Sequence, residues 1–152
     1  MFWGCFSGLT DKGPGVFWEK AWGSINKESY VKYTVPVIQA FIQQYPELLL
    51  IQDHAPGHAT KFIINELKFR KINLIFWPPF SPDLNPIKTV WDIMKDWIQD
   101  NYLDNKLSYK ILRQAVIEAW EAVGEREFKD LLASMTERCQ VVIAANGLHT
   151  KF

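Results

Sequence analysis

The chain has 152 residues, of which 48% are apolar, with 7 tryptophans and 10 phenylalanines, so it is not a disordered protein and can fill the core of one domain. Its 17 basic residues balance 17 acidic ones, which excludes a global positive field and restricts any nucleic-acid contact to a local patch. No apolar run reaches the roughly 18 residues of a membrane span.

The first half of the chain predicts a strand hairpin, helices and a buried strand. The aromatic stretch MFWGCFS and, after the turn-like TDKGPG, the stretch GVFWEKAW are typical of two strands. Residues 26–46 have a helical pattern, in which Pro36 predicts a kink or break near Val35. The run LLLIQDHA is continuously apolar until its end, as expected of a buried central strand.

The middle of the chain predicts a helix, a second buried strand and a turn that enters another helix. HATKFIINELKFRKI is the helix, with apolar positions at Phe62, Ile63, Leu67 and Phe69, and NLIFWP is the strand. SPDLNPIKTVWDIMK follows, with Asp83 as a turn residue and a helix from about Pro86 to Gln99. Asn85 is predicted as the N-cap, which places Lys88 at the third helical position, where a capping box would have an acid.

The last third of the chain predicts three helices. SYKILRQAVIEAWEAVG is capped by Ser108 and stopped by Gly124, and REFKDLLASM and TERCQVVIAAN are two shorter helices. The first of these helices has an expected buried stripe made of Ile111, Leu112, Ala115, Val116, Ala119, Trp120 and Val123. We expect Trp91 and Trp120 to be core residues rather than base-stacking ones. The element order indicates an α/β fold whose strands are covered by helices.

Asp53 stands at the carboxyl end of the first buried strand. Ligand sites of open α/β sheets gather at that edge, and a parallel second strand would lead to the first turn of the next helix at the same edge. An acid in that turn would lie near Asp53, and two carboxylates so placed would hold a hard divalent cation.

QDHAPGHA followed by WPPFSPDLNPIKTVWDIMK closely resembles the catalytic half of mariner-superfamily transposases, and the resemblance covers nearly the whole chain. It implies a ribonuclease-H-like domain with three metal-binding acids, nuclear localisation, DNA as partner and Mg²⁺ or Mn²⁺ as cofactor. Asp53 matches the second acid and is the expected metal ligand. The third acid follows after 34 residues, and the residue after positions 54–87 is Lys88.

The resemblance also carries expectations about what this chain lacks. The first acid of the family lies on a strand upstream of WGCFS, so we expect a mixed sheet lacking its first strand, flanked by helices, with an extra C-terminal helical segment. Residues 1–152 are then one partial catalytic domain without the DNA-binding helix-turn-helix domains. With Lys88 in place of an acid, we expect no transposase or nuclease activity; Asp92, one turn later, is expected to substitute poorly or to pair with Lys88.

Several alternatives stay open at this point. The cations of KFRK, namely Lys68, Arg70 and Lys71, are either phosphate contacts or a solvated helix end. The chain is either an inactive transposase copy or a retained binding or regulatory module, which acts on DNA, on another copy or on a full-length transposase. It could also be an incomplete form of an active enzyme, which would not explain Lys88. No membrane partner is expected, and the two cysteines, Cys5 and Cys139, suit a reducing intracellular compartment.

Overall fold

The computed structural model describes residues 1–52, 60–75, 82–102, 106–148 and 150–151. Short 3₁₀ helices lie at Lys20–Trp22 and Pro82–Leu84. The strands and helices of the described residues are, in chain order, β1 Phe2–Ser7, β2 Asp11–Phe17, α1 Lys27–Tyr33, α2 Val35–Gln44, α3 Lys61–Phe69, α4 Ile87–Asn101, α5 Tyr109–Ala122, α6 Glu125–Ala133 and α7 Met135–Ala144.

The N-terminal hairpin forms as an antiparallel pair, but its second strand is displaced from the predicted one. β1 and β2 pair from Phe2 opposite Phe17 to Ser7 opposite Asp11, with a bulge between Gly4 and Phe6. The turn is closed earlier than expected, because the Ser7 hydroxyl accepts the N–H of Thr10 at 3.1 Å. The predicted strand over residues 15–22 is therefore wrong beyond Phe17. The GPG stretch is extended rather than a turn, since a strand outside the middle of a sheet tolerates proline.

The predicted break in the first long helix is confirmed. α1 ends and α2 begins at Thr34, with Pro36 in the first turn of α2, where a missing N–H costs no helical hydrogen bond. The Asn26 side chain caps α1, accepting the N–H of Ser29 at 2.8 Å while the Ser29 hydroxyl accepts the N–H of Asn26 at 3.0 Å.

The two predicted buried strands meet in the expected parallel sense. Leu50 donates its N–H to the Asn73 carbonyl at 2.9 Å and accepts the N–H of Ile75 at 3.0 Å, which forms one parallel bridge between Leu50 and Leu74. The expected burial is wrong for the flanking apolar residues, because they are 40–53% exposed: Leu49, Ile51 and Ile75. Within the described residues, only the side of this bridge that faces α1–α3 is covered by side chains of the core.

β1 lies between two groups of helices and contributes side chains to both. Phe2 and Phe6 pack on a core formed by α4, α5 and α6, whose fully or nearly buried members are Val90, Met94, Ala119, Trp120, Val123, Phe128 and Leu131. Trp3 points the other way and packs on a core of α1–α3 and the segment after it, namely Tyr30, Val35, Ile38, Ile63, Leu67 and Ile72. This arrangement is the alternation of faces that a strand imposes.

The C-terminal helices agree with the predicted ones, with one correction. The Ser108 hydroxyl caps α5 by accepting the N–H of Ile111, and α6 and α7 follow as two short helices. Trp120 is buried and Trp91 packs beside it, which confirms both as core residues. Ile111 and Leu112 are 46% and 42% exposed, so the buried stripe is narrower than predicted: α4 covers only part of the apolar surface of α5.

Candidate functional site

The first turn of α4 begins one residue later than the sequence predicts. Pro86, with φ −66° and ψ −19°, is the residue before the helix, and no side-chain hydrogen bond caps this end, so the predicted Asn85 cap does not form. Tight backbone bonds replace the cap: Lys88 donates its N–H to the Asn85 carbonyl and Thr89 donates to Pro86, both at 3.1 Å. Lys88 is thus the second helical residue and is exposed to solvent.

A buried arginine fixes this turn from the far end of the chain. Arg138 on α7 is 5% exposed; it donates from Nη1 to the Asp83 carbonyl at 2.8 Å and from Nη2 to the Thr89 hydroxyl at 3.2 Å. Its Nε donates to the Ser134 hydroxyl at 2.9 Å, which orients the side chain from within its own helix segment. Burial lowers the pKa of the Arg138 guanidinium, and the charge of Asp83 opposes that shift.

Asp83 lies in the 3₁₀ turn Pro82–Leu84, as its predicted turn role requires, but it is 6% exposed rather than solvated. Its Oδ2 accepts the N–H of Thr150 at 2.7 Å, so a short segment near the C-terminus packs against the entry to α4. The sequence analysis missed Arg138. The available signal was a cation at helical spacing with two apolar residues of the same helix, Met135 and Val142.

The residues available at this turn do not fit a divalent cation. The Lys88 ammonium can only donate hydrogen bonds and cannot replace a carboxylate ligand. Asp92 is exposed and forms an ion pair with Lys95 at 2.8 Å, which is not the expected pairing with Lys88. Asp53 lies outside the described residues. Within the parts of the chain that the structure describes, no three His, Cys, Asp or Glu side chains cluster to hold a metal ion.

The cations predicted at the end of α3 are not equivalent. Arg70 is half-buried; its guanidinium contacts Oε1 of Glu66 and Oε1 of Gln39, each at 2.8 Å. Lys68 and Lys71 are exposed. The helix ends with Lys71 at φ 59°, where its N–H reaches the Lys68 carbonyl and the next N–H, of Ile72, reaches Leu67, both at 2.9 Å; this is the Schellman arrangement.

A sequence profile of the family described as "DDE superfamily endonuclease" matches residues 3–109, which is well over half of the chain. The chain belongs to this family. Its relatives include the Tc3 transposase of Caenorhabditis elegans, 35% identical over 93% of this chain and 46% of the relative, and the Tcb1 transposase of Caenorhabditis briggsae, 29% identical over 100% and 54%. The chain therefore spans about half the length of the curated relatives that it matches.

Comparison with solved structures confirms the fold. The catalytic domain of Mos1 mariner transposase with Raltegravir and Mn superposes with a TM-score of 0.69 at 17% identity, covering 84% of this chain and 66% of that one. A Mos1 paired-end complex with the left transposon end gives a TM-score of 0.72 at 19% identity, covering 91% and 42%. The mariner-superfamily resemblance and the α/β, ribonuclease-H-like fold are thus confirmed. None of the described helices is long and apolar enough to cross a membrane.

Proposed function

We propose that this chain is a mariner-type transposase catalytic domain, one domain over residues 1–152, that does not cleave DNA because Lys88 occupies the position of the third metal-binding acid. The observation that carries the proposal is the placement of Lys88 in the first turn of α4. The buried hydrogen bond from Arg138 to the Asp83 carbonyl anchors that turn. The backbone position of the third acid is therefore kept, but it carries Lys88 instead of an acid.

The size of the electrostatic effect supports the loss of metal binding. An ammonium group about 4 Å from a divalent cation repels it by on the order of 8 kcal/mol at an effective dielectric constant of 20, where a carboxylate would attract it by a similar amount. Structures of Mos1 were solved with Mn and with Mg. For this chain we propose that binding of either ion is weak or lost.

The test measures metal binding and strand cleavage separately. We expect the purified chain to leave supercoiled DNA intact in Mg²⁺ or Mn²⁺, and we expect Lys88→Glu to bind Mn²⁺ at least about tenfold more tightly, because about 1.4 kcal/mol already gives tenfold. Free Mn²⁺ is measured by electron paramagnetic resonance. Metal-dependent nicking by the wild-type chain would refute the proposal.

The matched control is Lys110→Glu, which makes the same charge change on an exposed residue of α5. It should leave Mn²⁺ binding as in the wild type. If Lys88→Glu binds Mn²⁺ no better than this control, then position 88 does not face the metal site and the assigned role is wrong.

The remaining parts of the proposal concern partners and location. We propose DNA as the partner, with Lys68 and Lys71 as phosphate contacts and Arg70 mainly as a structural residue of α3. The paired-end complexes of Mos1 support this choice, as do the exposed positions of the two lysines. A second copy of the chain or a full-length transposase of the same family as a further partner, and the nucleus as location, are proposed from the family alone.

A further inference from the structure

The outward face of α3 carries two Lys-Phe pairs. They are Lys61-Phe62 and Lys68-Phe69, seven residues apart, which is nearly two turns of helix, so the lysines form one row and the phenylalanines a second row beside it. Ile63 and Leu67, on the opposite side, are 0% exposed. We call these four outward residues the Lys-Phe stripe.

The two phenylalanines of the stripe leave much of their apolar surface exposed to solvent. Phe62 is 47% exposed and Phe69 is 83% exposed, whereas complete burial of such a side chain stabilises by roughly 1.5–3 kcal/mol. Among the described residues, no aromatic ring pair involves either phenylalanine, and the Lys27 ammonium lies 5.9 Å from the centre of the Phe62 ring. The rings are thus accessible from solvent over a helix whose inner face is already complete.

The charge around the rings is positive. Within the described ranges, Lys61, Lys68 and Lys71 form no ion pair, and the nearby carboxylate of Glu66 is held by Arg70 at 2.8 Å. Asn65, which lies between the two pairs on the same face, is neutral. A ligand that fits this surface has regularly spaced negative charges and flat apolar groups that can lie on a phenyl ring.

We propose that the Lys-Phe stripe binds single-stranded DNA, with unpaired bases stacked on Phe62 and Phe69 and phosphates contacting Lys61, Lys68 and Lys71. The two rings are about 10 Å apart along the helix axis, the length of about three stacked nucleotides at about 3.4 Å each. Duplex DNA satisfies only the lysines, because its bases are already stacked. The inference rests on the proposed function in taking DNA as the nucleic acid and Lys68 and Lys71 as phosphate contacts; the single strand, the two rings and Lys61 are its own additions.

The experiment measures fluorescence anisotropy of a labelled single-stranded oligonucleotide and of the matching duplex, in EDTA and at low salt. The single strand should bind more tightly than the duplex, and Phe69→Ala should weaken single-strand binding about tenfold, since stacking on one aromatic residue contributes about that factor or more. Phe69→Trp should restore it. Lys61→Ala and Lys68→Ala should each lower the slope of log affinity against log salt by about 0.7.

The matched controls are Ile143→Ala, which removes a 74% exposed apolar side chain on α7, and Lys110→Ala, which removes an exposed cation on α5. Both should leave binding unchanged, and circular dichroism checks that all variants are folded. The proposal is wrong if the chain does not bind the single strand, if it binds the duplex as tightly as the single strand, if Phe69→Ala leaves single-strand binding unchanged, or if the control substitutions weaken binding as much as Phe69→Ala does. Because EDTA removes metal, none of these results bears on cleavage or on Lys88.

Discussion

At the scale of single residues, Arg138 determines how the entry to α4 is held. Its guanidinium joins α7 to the Asp83 carbonyl and to Thr89, residues about fifty positions away in the chain. The pattern that identifies the family includes the turn around Asp83, but nothing in that pattern indicates a distant cation as its anchor. Sequence spacing could place Lys88 at the site; it could not name the residue that orients the turn.

Replacing Arg138 tests this role. Arg138→Met should lower the free energy of unfolding by about 3 kcal/mol, because it removes the buried, charge-assisted hydrogen bonds to the Asp83 carbonyl and the Thr89 hydroxyl. Urea denaturation followed by circular dichroism measures the change. Arg126→Met is the control: Arg126 is 91% exposed and its Nε lies 3.6 Å from Asp130, so its loss should change stability by less than about 0.5 kcal/mol. Equal effects of the two substitutions would contradict the assigned role.

At the scale of elements, hydrophobic periodicity predicts well where a helix or strand lies and which of the two it is. It does not predict which face of the element is buried. Of the four apolar residues predicted for α3, only Ile63 and Leu67 are buried, because α1 and α2 cover one side alone. α5 shows the same limit at Ile111 and Leu112. Which side of an apolar helix is covered depends on tertiary contacts that no local window contains.

Helix starts and turns also depart from the local sequence patterns. GPG was expected as a turn, yet Ser7 closes the chain reversal earlier and β2 extends through Pro14. Asn85 was expected as a cap because of its residue type, yet Pro86 and the preceding 3₁₀ turn bring the backbone into α4 without any side-chain bond. Both cases are local rules overridden by a neighbouring hydrogen bond or dihedral constraint.

A pair of substitutions separates a true cap from an apparent one. Asn26→Ala should destabilise the protein by about 1 kcal/mol, because it removes one half of the reciprocal cap at the start of α1. Asn85→Ala should change stability by less than about 0.5 kcal/mol, since its side chain caps nothing. Thermal or urea unfolding of both variants measures the difference. A larger cost at Asn85 than at Asn26 would overturn the described start of α4.

At the scale of the whole molecule, β1 joins the two cores. Phe2 and Phe6 belong to the core of α4–α6, and Trp3 belongs to the core of α1–α3. Gly4 lies on the same strand, and an added Cβ there would lie 3.2 Å from the rings of both Trp91 and Trp120, so these rings would have to shift by a few tenths of an ångström. The family assignment predicted a sheet between helix layers; this sharing of one strand by two cores follows from side-chain alternation along it.

The thiol of Cys5, on this shared strand, makes the free energy of unfolding depend on pH in the alkaline range. Burial raises the pKa of Cys5 from 9.0 to about 12. The unfolded chain loses the thiol proton at a lower pH than the folded chain does. The contribution of the protonated Cys5 thiol to the free energy of unfolding is therefore complete below pH 9 and is lost as the pH rises toward 12. Urea unfolding across this range should show a decline that is smaller in Cys5→Ala. An identical decline in the variant would mean that the thiol does not titrate with folding.

Lys71, at the end of α3, has a backbone conformation that is unfavourable for lysine. A residue at φ 59° in a Schellman end is the position where glycine is most favourable, and a lysine there costs conformational energy. A stability-guided redesign would choose glycine at this position and would delete an exposed cation beside the Lys-Phe stripe. Engineering this chain for heat resistance and keeping its affinity for polyanions are therefore competing goals at residue 71.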